Sequence, residues 1–281
     1  MRLFVEGVGL AGPGLDGWEA SRAILRAESP YAGAATRLSA SELLPAAERR
    51  RVGVPVRLAL ATGREAFLNA GRDPATVPTV LASSGGDCDN VHHLCESLAT
   101  EAREVSPTRF HNSVHNAAAG YWGIATRAHA ASTSLCCHDA SFTAGLLETA
   151  AQVVAGEEVV ALIAYDHSYP EPLNAVRPIC APFGMALVTA SQRTDRALAA
   201  LDVSYSPDFA DATRMPDPGL EAVRTGVPAG RSLPLLEALA RGTRATVVLD
   251  YLEGHLRVEV TPSSRHIAPA SPTGTSSASA A

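Results

Sequence analysis

The chain contains no lysine, so all 23 of its basic side chains are arginine, and 29 acidic residues outnumber them. The formal net charge is −6, and the longest uninterrupted basic run is Arg49 to Arg51. Proteins that bind nucleic acid concentrate positive charge on one face or along one segment. Because this sequence has no such concentration, we expect no nucleic-acid partner.

Long apolar runs and paired cysteines are also missing. No apolar stretch reaches the roughly 20 residues that a membrane-spanning helix needs. Glu6 interrupts the short apolar N-terminus, which favours a first strand over a signal peptide. The five cysteines are odd in number and irregularly spaced, which is not the pattern of a disulfide framework. These absences predict a cytoplasmic protein without a membrane span.

Apolar residues are plentiful, at 46% of 281, which suffices for a sizeable core. Short apolar runs alternate with helical patterns up to residue 191, as is typical of an α/β fold. Strands are predicted at residues 2–9, 76–84, 132–136, 159–165, 183–191 and 197–205, with a hairpin of 245–252 and 255–261. Helices are predicted at residues 16–27 (capped by Asp16), 55–71, 90–103, 112–127, 139–155 and 232–241. We expect one domain, residues 1–262, followed by a disordered Ser/Ala/Thr/Pro-rich tail, residues 263–281.

The densest cluster of reactive side chains lies in residues 132–149, STSLCCHDASFTAGLLET. This pattern predicts a short strand, a tight turn and an amphipathic helix. Cys136, Cys137, His138 and Asp139 fall at the turn. The free N–H groups and positive dipole end of a helix N-terminus stabilise a thiolate or an oxyanion. The cluster is therefore the first candidate for a catalytic site.

The surrounding sequence resembles the N-terminal half of β-ketoacyl synthases, which are condensing enzymes of the thiolase fold. Asn116, Ala119 and Gly120 match the Asn and Ala-Gly of the family's helix. Gly156 and the apolar run VVALIAY match the end of the helix that follows the nucleophile and the strand after it. Counted without gaps from Asn116 to Gly156, the family's nucleophilic cysteine falls on Asp139.

The resemblance implies a thiolase-like layered α/β fold, essentially the N-terminal half of a ketosynthase with a shortened C-terminal part. The family's second repeat supplies two histidines and a Gly-rich loop. Here only a short stretch follows Ser191, and neither His255 nor His266 has the family's context. The runs HNSVHNAAAGYW and DASFTAGLLE are similar to those of chain length factors, which act beside a catalytic synthase, as in aryl polyene biosynthesis.

These departures predict that the chain is not catalytic on its own. Asp139 cannot form a stable thioester, and an aspartate at a helix N-terminus is a good cap, so we interpret it as structural. Cys136 and Cys137 precede the nucleophile's position and are expected to pack as small apolar residues. The alternative is a self-sufficient acyltransferase or thioesterase that uses one of these thiols with His138.

The other polar clusters have simpler interpretations. Cys88, His92 and Cys95 have i, i+4, i+7 spacing, but without a fourth ligand nearby we prefer a half-buried helix face to a metal site. Asp166 and His167 follow an apolar strand and are interpreted as a solvated turn. We predict neither a metal nor a cofactor.

In the family, the strand before the nucleophile pairs with its twofold mate, and the preceding helix lies near the dimer interface and the acyl pocket. The resemblance therefore implies an interface and acyl tunnel in this chain. Its residues are Phe110, His111, Asn112, His115, Asn116, Tyr121, Trp122, Ser132, Thr133, Ser134 and Leu135.

The leading hypothesis is a non-catalytic subunit of a heterodimeric ketosynthase in polyketide, aryl polyene or fatty-acid-like chain elongation. Its partner would be the catalytic subunit, through which it would meet acyl carrier protein. Bulky residues near Phe110, Tyr121 and Trp122 would limit chain length. A further alternative is a homodimeric module that binds acyl chains or acyl carrier protein.

Overall fold

The computed structural model describes residues 1–38 and 43–263, so the predicted tail, apart from Ser263, lies outside the described residues. The strands are β1 (Arg2–Gly12), β2 (Leu15–Asp16), β3 (Thr79–Ala82), β4 (Ser132–Leu135), β5 (Val159–Asp166), β6 (Phe183–Ala190), β7 (Ala199–Ser206), β8 (Ala245–Tyr251) and β9 (Gly254–Pro262). The α-helices are α1 (Trp18–Leu25), α2 (Ala46–Arg49), α3 (Val54–Ala70), α4 (Cys88–Ala99), α5 (Pro107–Asn112), α6 (Ala117–Thr126), α7 (Ser141–Ala155), α8 (Leu173–Val176), α9 (Pro218–Gly226) and α10 (Leu233–Arg241). Short 3₁₀ turns lie at Pro74–Thr76, His138–Ala140 and Ala229–Ser232.

The described strands form one mixed sheet in the order β4-β3-β5-β6-β1-β7-β9-β8, with β2 paired to β1. Strand β3 lies between β4 and β5 and runs parallel to both. The remaining pairs are antiparallel. Because parallel strands share one direction, the loops that follow β3, β4 and β5 meet at the same end of the sheet.

Helices cover both faces of the sheet. Strands β5 and β6 are buried along nearly their whole length, as expected for apolar strands covered on both sides. Helices α3 and α6 form one core with the sheet, in which the rings of Phe67 and Trp122 lie 5.5 Å apart. Helices α1, α7 and α10 form the other core. The predicted α/β class is thereby confirmed. Among the described residues, no helix is both long enough and apolar enough to cross a membrane.

Helix α3 lies directly on strand β1. A Cβ atom added at Gly9 would stand 2.0 Å from the Thr62 carbonyl oxygen, and one at Gly7 would stand 2.1 Å from the Ala66 carbonyl oxygen. Only glycine permits the two backbones to approach so closely. As the sequence predicts, α3 ends at Gly71, which adopts a left-handed conformation with φ of 60°.

The predicted cap of α1 is wrong. Asp16 lies in β2, where it pairs with Ala11 of β1. Gly17 occupies the capping position of α1. The carboxylate of Glu65 on α3 accepts the Trp18 amide at 2.6 Å. Glu65, which is distant in sequence, therefore accepts a hydrogen bond from the start of α1, where Asp16 was expected to be the acceptor.

The helix predicted over residues 112–127 begins later in the structure, because α6 spans Ala117–Thr126 and a separate helix, α5, ends at Asn112. The break follows Asn112, whose buried side chain donates to the Arg51 carbonyl oxygen at 2.8 Å and accepts from the Tyr121 hydroxyl at 3.0 Å. These contacts hold the end of α5 against both neighbours, and the chain turns before α6 begins.

The close contact between α3 and β1 makes a testable prediction about stability. Gly9→Ala is expected to lower the free energy of unfolding by about 1–3 kcal/mol, because the added methyl group must push the helix away from the strand. Gly120→Ala is the matched control: no atom lies within 4 Å of its added Cβ, and alanine in a helix is favoured over glycine by about 0.5–1 kcal/mol. Urea denaturation of both variants measures the difference. Equal midpoints for Gly9→Ala and the parent chain would contradict the predicted contact.

Candidate functional site

The loops that follow β3, β4 and β5 adjoin one another. They comprise residues 83–87, 136–140 and 167–169, and Asp166 lies among them at the end of β5. The predicted strand, turn and helix around the two cysteines are confirmed. The segment Ala229–Ser232 packs against the same place.

Asp166 connects these segments. Its side chain is 3% exposed. One carboxylate oxygen accepts from the Ser84 amide and hydroxyl, each at 2.7 Å, and from the Ser83 hydroxyl at 3.3 Å. The other accepts from the Ala229 amide at 2.9 Å. Burial raises the pKa of Asp166 to about 6, although these hydrogen bonds favour the charged form and oppose that increase.

The prediction that Asp166 and His167 form a solvated turn is therefore wrong. His167 is 5% exposed, and its Nδ1 lies 3.9 Å from a carboxylate oxygen of Asp89. The apolar strand β5 carries both residues into the interior, where groups from neighbouring loops take the place of water. An aspartate directly after a wholly apolar strand was the available signal in the sequence.

Asp139 lies between two guanidinium groups. Its Oδ1 accepts from Nη1 of Arg177 at 3.0 Å, and its Oδ2 lies 3.7 Å from Nη2 of Arg231. Helix α7 begins after Asp139 and has no side-chain cap, so the predicted capping role is wrong. The reason is that both arginines, which come from distant segments of the chain, draw the carboxylate away from the helix amides. No local pattern in the sequence points to either arginine.

A cavity of about 560 Å³ opens beside this ion-pair network. Cys137, Asp139, Arg224, Arg231 and Tyr251 are among its lining residues. The side chain of Arg224 is only 8% exposed, because a neighbouring carboxylate in α9 holds it in place through an ion pair of 2.7 Å. Two arginines therefore face an otherwise largely apolar cavity, and the Asp139 carboxylate lines it as well.

The two cysteines of this turn do not pack in the core, contrary to the prediction. Cys136 is exposed, with its Sγ 3.1 Å from the Ser84 carbonyl oxygen, and Cys137 is half-buried at the cavity. They lie beyond the end of β4, a strand with no neighbour on its outer side within the described chain. Among the described residues, no imidazole nitrogen hydrogen-bonds to either thiol, so the cysteine–histidine pair that a thiol enzyme needs is not formed.

The cysteines with metal-like spacing on α4 are not grouped with other ligands among the described residues. Cys95 is exposed, whereas Cys88 is half-buried and donates its thiol to the Gly85 carbonyl at 3.2 Å. Burial, together with the nearby carboxylates of Asp87 and Asp89, raises the pKa of Cys88 to about 11. This thiol is consequently protonated and unreactive at neutral pH.

The predicted interface residues of α5 and α6 divide between surface and interior. Phe110 is 65% exposed, and His111 and Asn116 are also exposed. Tyr121 and Trp122 are 3% and 2% exposed and belong to the core beneath α3.

The exposed His111 also packs edge-on against the Tyr121 ring. His115 is half-buried, and its Nε2 lies 3.1 Å from the Ser83 carbonyl oxygen. The interface and tunnel roles of these residues remain predictions.

Strand β4 forms one edge of the sheet, as predicted for a strand that pairs with a partner. It pairs only with β3 in the described chain. The carbonyl groups of Ala131 and Leu135 accept from Thr79 and Ser83 of the β3 segment. Because backbone groups alternate in direction along a strand, the amides and carbonyls of Ser132 and Ser134 point toward the open edge.

Comparison with known families decides the relationship. The family described as β-ketoacyl synthase, N-terminal domain, matches residues 18–247, which is more than half of the chain. The chain belongs to this family. No curated protein sequence matches it.

Several solved ketosynthase structures share the fold. One is the ketosynthase ApeO in complex with its chain length factor ApeC from Xenorhabdus doucetiae, with a TM-score of 0.68 at 21% identity over 93% of this chain and 99% of that chain. The ishigamide ketosynthase/chain length factor gives 0.67 at 17% identity, over 92% and 99%. A β-ketoacyl synthase from Burkholderia phymatum gives 0.68 at 11%, over 93% and 99%. At these identities the likeness shows the fold, and the predicted thiolase-like architecture is confirmed.

The resemblance to ketosynthases also raised the question of whether His255 or His266 has the setting of a family histidine. His255 is 8% exposed, and its Nδ1 lies 2.8 Å from the Asp208 carbonyl oxygen at the turn between β8 and β9. It is held as part of the sheet rather than presented to a reacting group. His266 lies outside the described residues.

The buried carboxyl group makes a prediction about pH. The pKa of Asp166 in the fold, about 6, is higher than its ordinary value of 3.8, so the folded chain binds the proton more tightly than the unfolded chain. The contribution of Asp166 to stability is therefore complete below about pH 4 and is lost as the pH rises through 6. Urea denaturation of the parent chain and of Asp166→Asn, from pH 4 to 7, isolates this contribution as the difference between the two. We expect that difference to favour the parent chain increasingly toward low pH. A difference that is independent of pH would contradict the assignment.

Proposed function

We propose that this chain is the non-catalytic, chain-length-determining subunit of a heterodimeric β-ketoacyl synthase. The observation that carries the proposal is the state of Asp139. A carboxylate, held by two arginines at 3.0 and 3.7 Å, stands where the family has its nucleophilic cysteine. This carboxylate cannot hold an acyl group as a thioester. Cys136 and Cys137, the two thiols before it, have no imidazole partner and therefore do not take over that role.

The scaffold around this position is nevertheless retained, which favours a structural contribution to a partner's reaction. The loops at the ends of β3, β4 and β5 are tied together through Asp166. Two of the structural neighbours are described as complexes or pairs of a ketosynthase with a chain length factor, which supports the same architecture for this chain.

The proposed contact surface combines the open edge of β4 with an exposed apolar surface on α4 to α6. We call this second part the open helical face. It consists of Val91, Leu98, Phe110, Val114 and Ile124, which are 41–65% exposed. An unpaired strand edge is prone to pair with another strand, and several exposed apolar side chains on neighbouring segments favour a protein interface.

Pairing through the strand edge is testable by removing one outward amide. Ser134→Pro deletes an N–H that points away from β3, so the chain's own sheet keeps its hydrogen bonds. We expect this variant to lose at least tenfold in affinity for the catalytic ketosynthase, with a melting temperature close to that of the parent. Ser134→Ala keeps the amide and is the matched control. Co-expression followed by native mass spectrometry and titration measures both.

The outcomes of that experiment separate the alternatives. A heterodimer that Ser134→Pro weakens supports the proposal. A homodimer that persists in the presence of the synthase supports the acyl-binding module. A chain that stays monomeric beside a fully active synthase contradicts both.

The chain-length role is tested at Phe110, the most exposed residue of the open helical face. Phe110→Ala is expected to shift the carrier-bound products of the heterodimer by at least one extension cycle toward longer chains, because a bulky stop at the tunnel is removed. Leu68→Ala, on α3, removes a side chain of similar exposure, 68% against 65%, away from this face. Mass spectrometry of the carrier-bound products compares the two variants. An unchanged distribution for Phe110→Ala would exclude Phe110 as the determinant.

A further inference from the structure

The buried imidazole of His167 has no hydrogen bond among the described residues. Its Nε2 is inaccessible to water and has no partner. Its Nδ1 lies 3.9 Å from a carboxylate oxygen of Asp89, too far for a hydrogen bond. Buried polar groups are normally paired, and an unpaired one calls for a specific explanation.

Two carboxylates face this ring from the start of α4. Asp87 is 6% exposed, and Asn90 fixes it by donating from its backbone amide at 3.2 Å and from its side-chain amide at 2.6 Å. Asp89 is half-exposed. One ligand atom from each of Asp87, Asp89 and His167 lies within 4.8 Å of the other two. Two acidic oxygens and one imidazole nitrogen therefore converge on one point.

We propose that Asp87, Asp89 and His167 form a binding site for a divalent transition-metal ion of the zinc class. Hard cations such as calcium and magnesium prefer oxygen ligands alone, whereas imidazole with carboxylates suits zinc and its neighbours. Three protein ligands leave at least one coordination position for water.

The environment of the ring supports the same assignment. The ring is almost fully enclosed and makes no hydrogen bond among the described residues, so a metal would displace no protein partner of its nitrogens. A bound dication would also offset the two negative charges, and the hydrogen bonds from Asn90 hold one ligand in place as an outer shell does.

Two histidines on the same helix, the half-buried His92 and the exposed His93, could bind such ions nonspecifically, and the experiment must remove them. His92 and His93 lie 3.2 and 2.9 Å from the carboxylate of Glu96. The full chain carrying His92→Asn and His93→Asn is therefore the reference protein. Calorimetric titration with Zn²⁺, and absorption spectra with Co²⁺, report stoichiometry and ligand type without any assay of activity.

We expect the reference protein to bind one equivalent of Zn²⁺ and to give Co²⁺ absorption bands of low coordination number. Adding Asp89→Asn, a change on the surface that spares the core, is expected to weaken binding at least tenfold. Glu253→Gln, an exposed carboxylate in the turn between β8 and β9, is the matched control and should bind as the reference does. His167→Gln is a second variant that is expected to lose Zn²⁺ binding independently. Circular dichroism verifies that this variant is folded.

Two results would overturn the proposal. One is binding of less than a fifth of an equivalent by the reference protein, which would mean that Asp87, Asp89 and His167 do not hold the ion. The other is unchanged affinity in Asp89→Asn.

Discussion

The carboxylate of Asp166 is the contact on which the arrangement of the candidate site depends. It receives hydrogen bonds from the loop after β3 and from the segment that precedes α10, while its own backbone ends β5. Without it the buried Ala229 amide would lose its partner, and an unpaired buried polar group costs about 1–3 kcal/mol. One aspartate side chain thus fixes the relative positions of three segments that are distant from one another in the sequence.

A second charged group, Asp139, has a different relation to its surroundings. It is half-exposed, and its arginine partners also contact other groups: Arg177 lies over the Tyr169 ring, and Arg231 lies 3.3 Å from Asp250. Exposed ion pairs of this kind contribute little to stability. In the function proposed above, they hold in place a side chain that cannot form a thioester, at the position predicted to correspond to the family's nucleophile.

The fold was predictable where local pattern and tertiary structure agree. Strand β5 is a continuous apolar run, and α3 has helical periodicity with a glycine stop. Both were identified, as was the hairpin of β8 and β9. The prediction failed where a distant residue replaced the local one, as Glu65 does at the start of α1 and Asn112 does between α5 and α6. The register that places Asp139 at the nucleophile's position stays a prediction. The arginines that hold it, and the buried state of Asp166 and His167, depend on chain segments that only folding brings together.

The shortness of β4 has a consequence for how partners are chosen. Only Ser132 and Ser134 direct backbone groups to the open edge, so a pairing strand gains about four hydrogen bonds there, each contributing on the order of 1 kcal/mol. Backbone pairing of this kind is nearly independent of the partner's sequence. In the heterodimer proposed above, discrimination between one synthase and another would therefore come from the side chains around it, chiefly those on α4 to α6. Such an arrangement would allow a lineage to exchange one synthase for another by altering a few helix residues while the joint between the sheets stays the same.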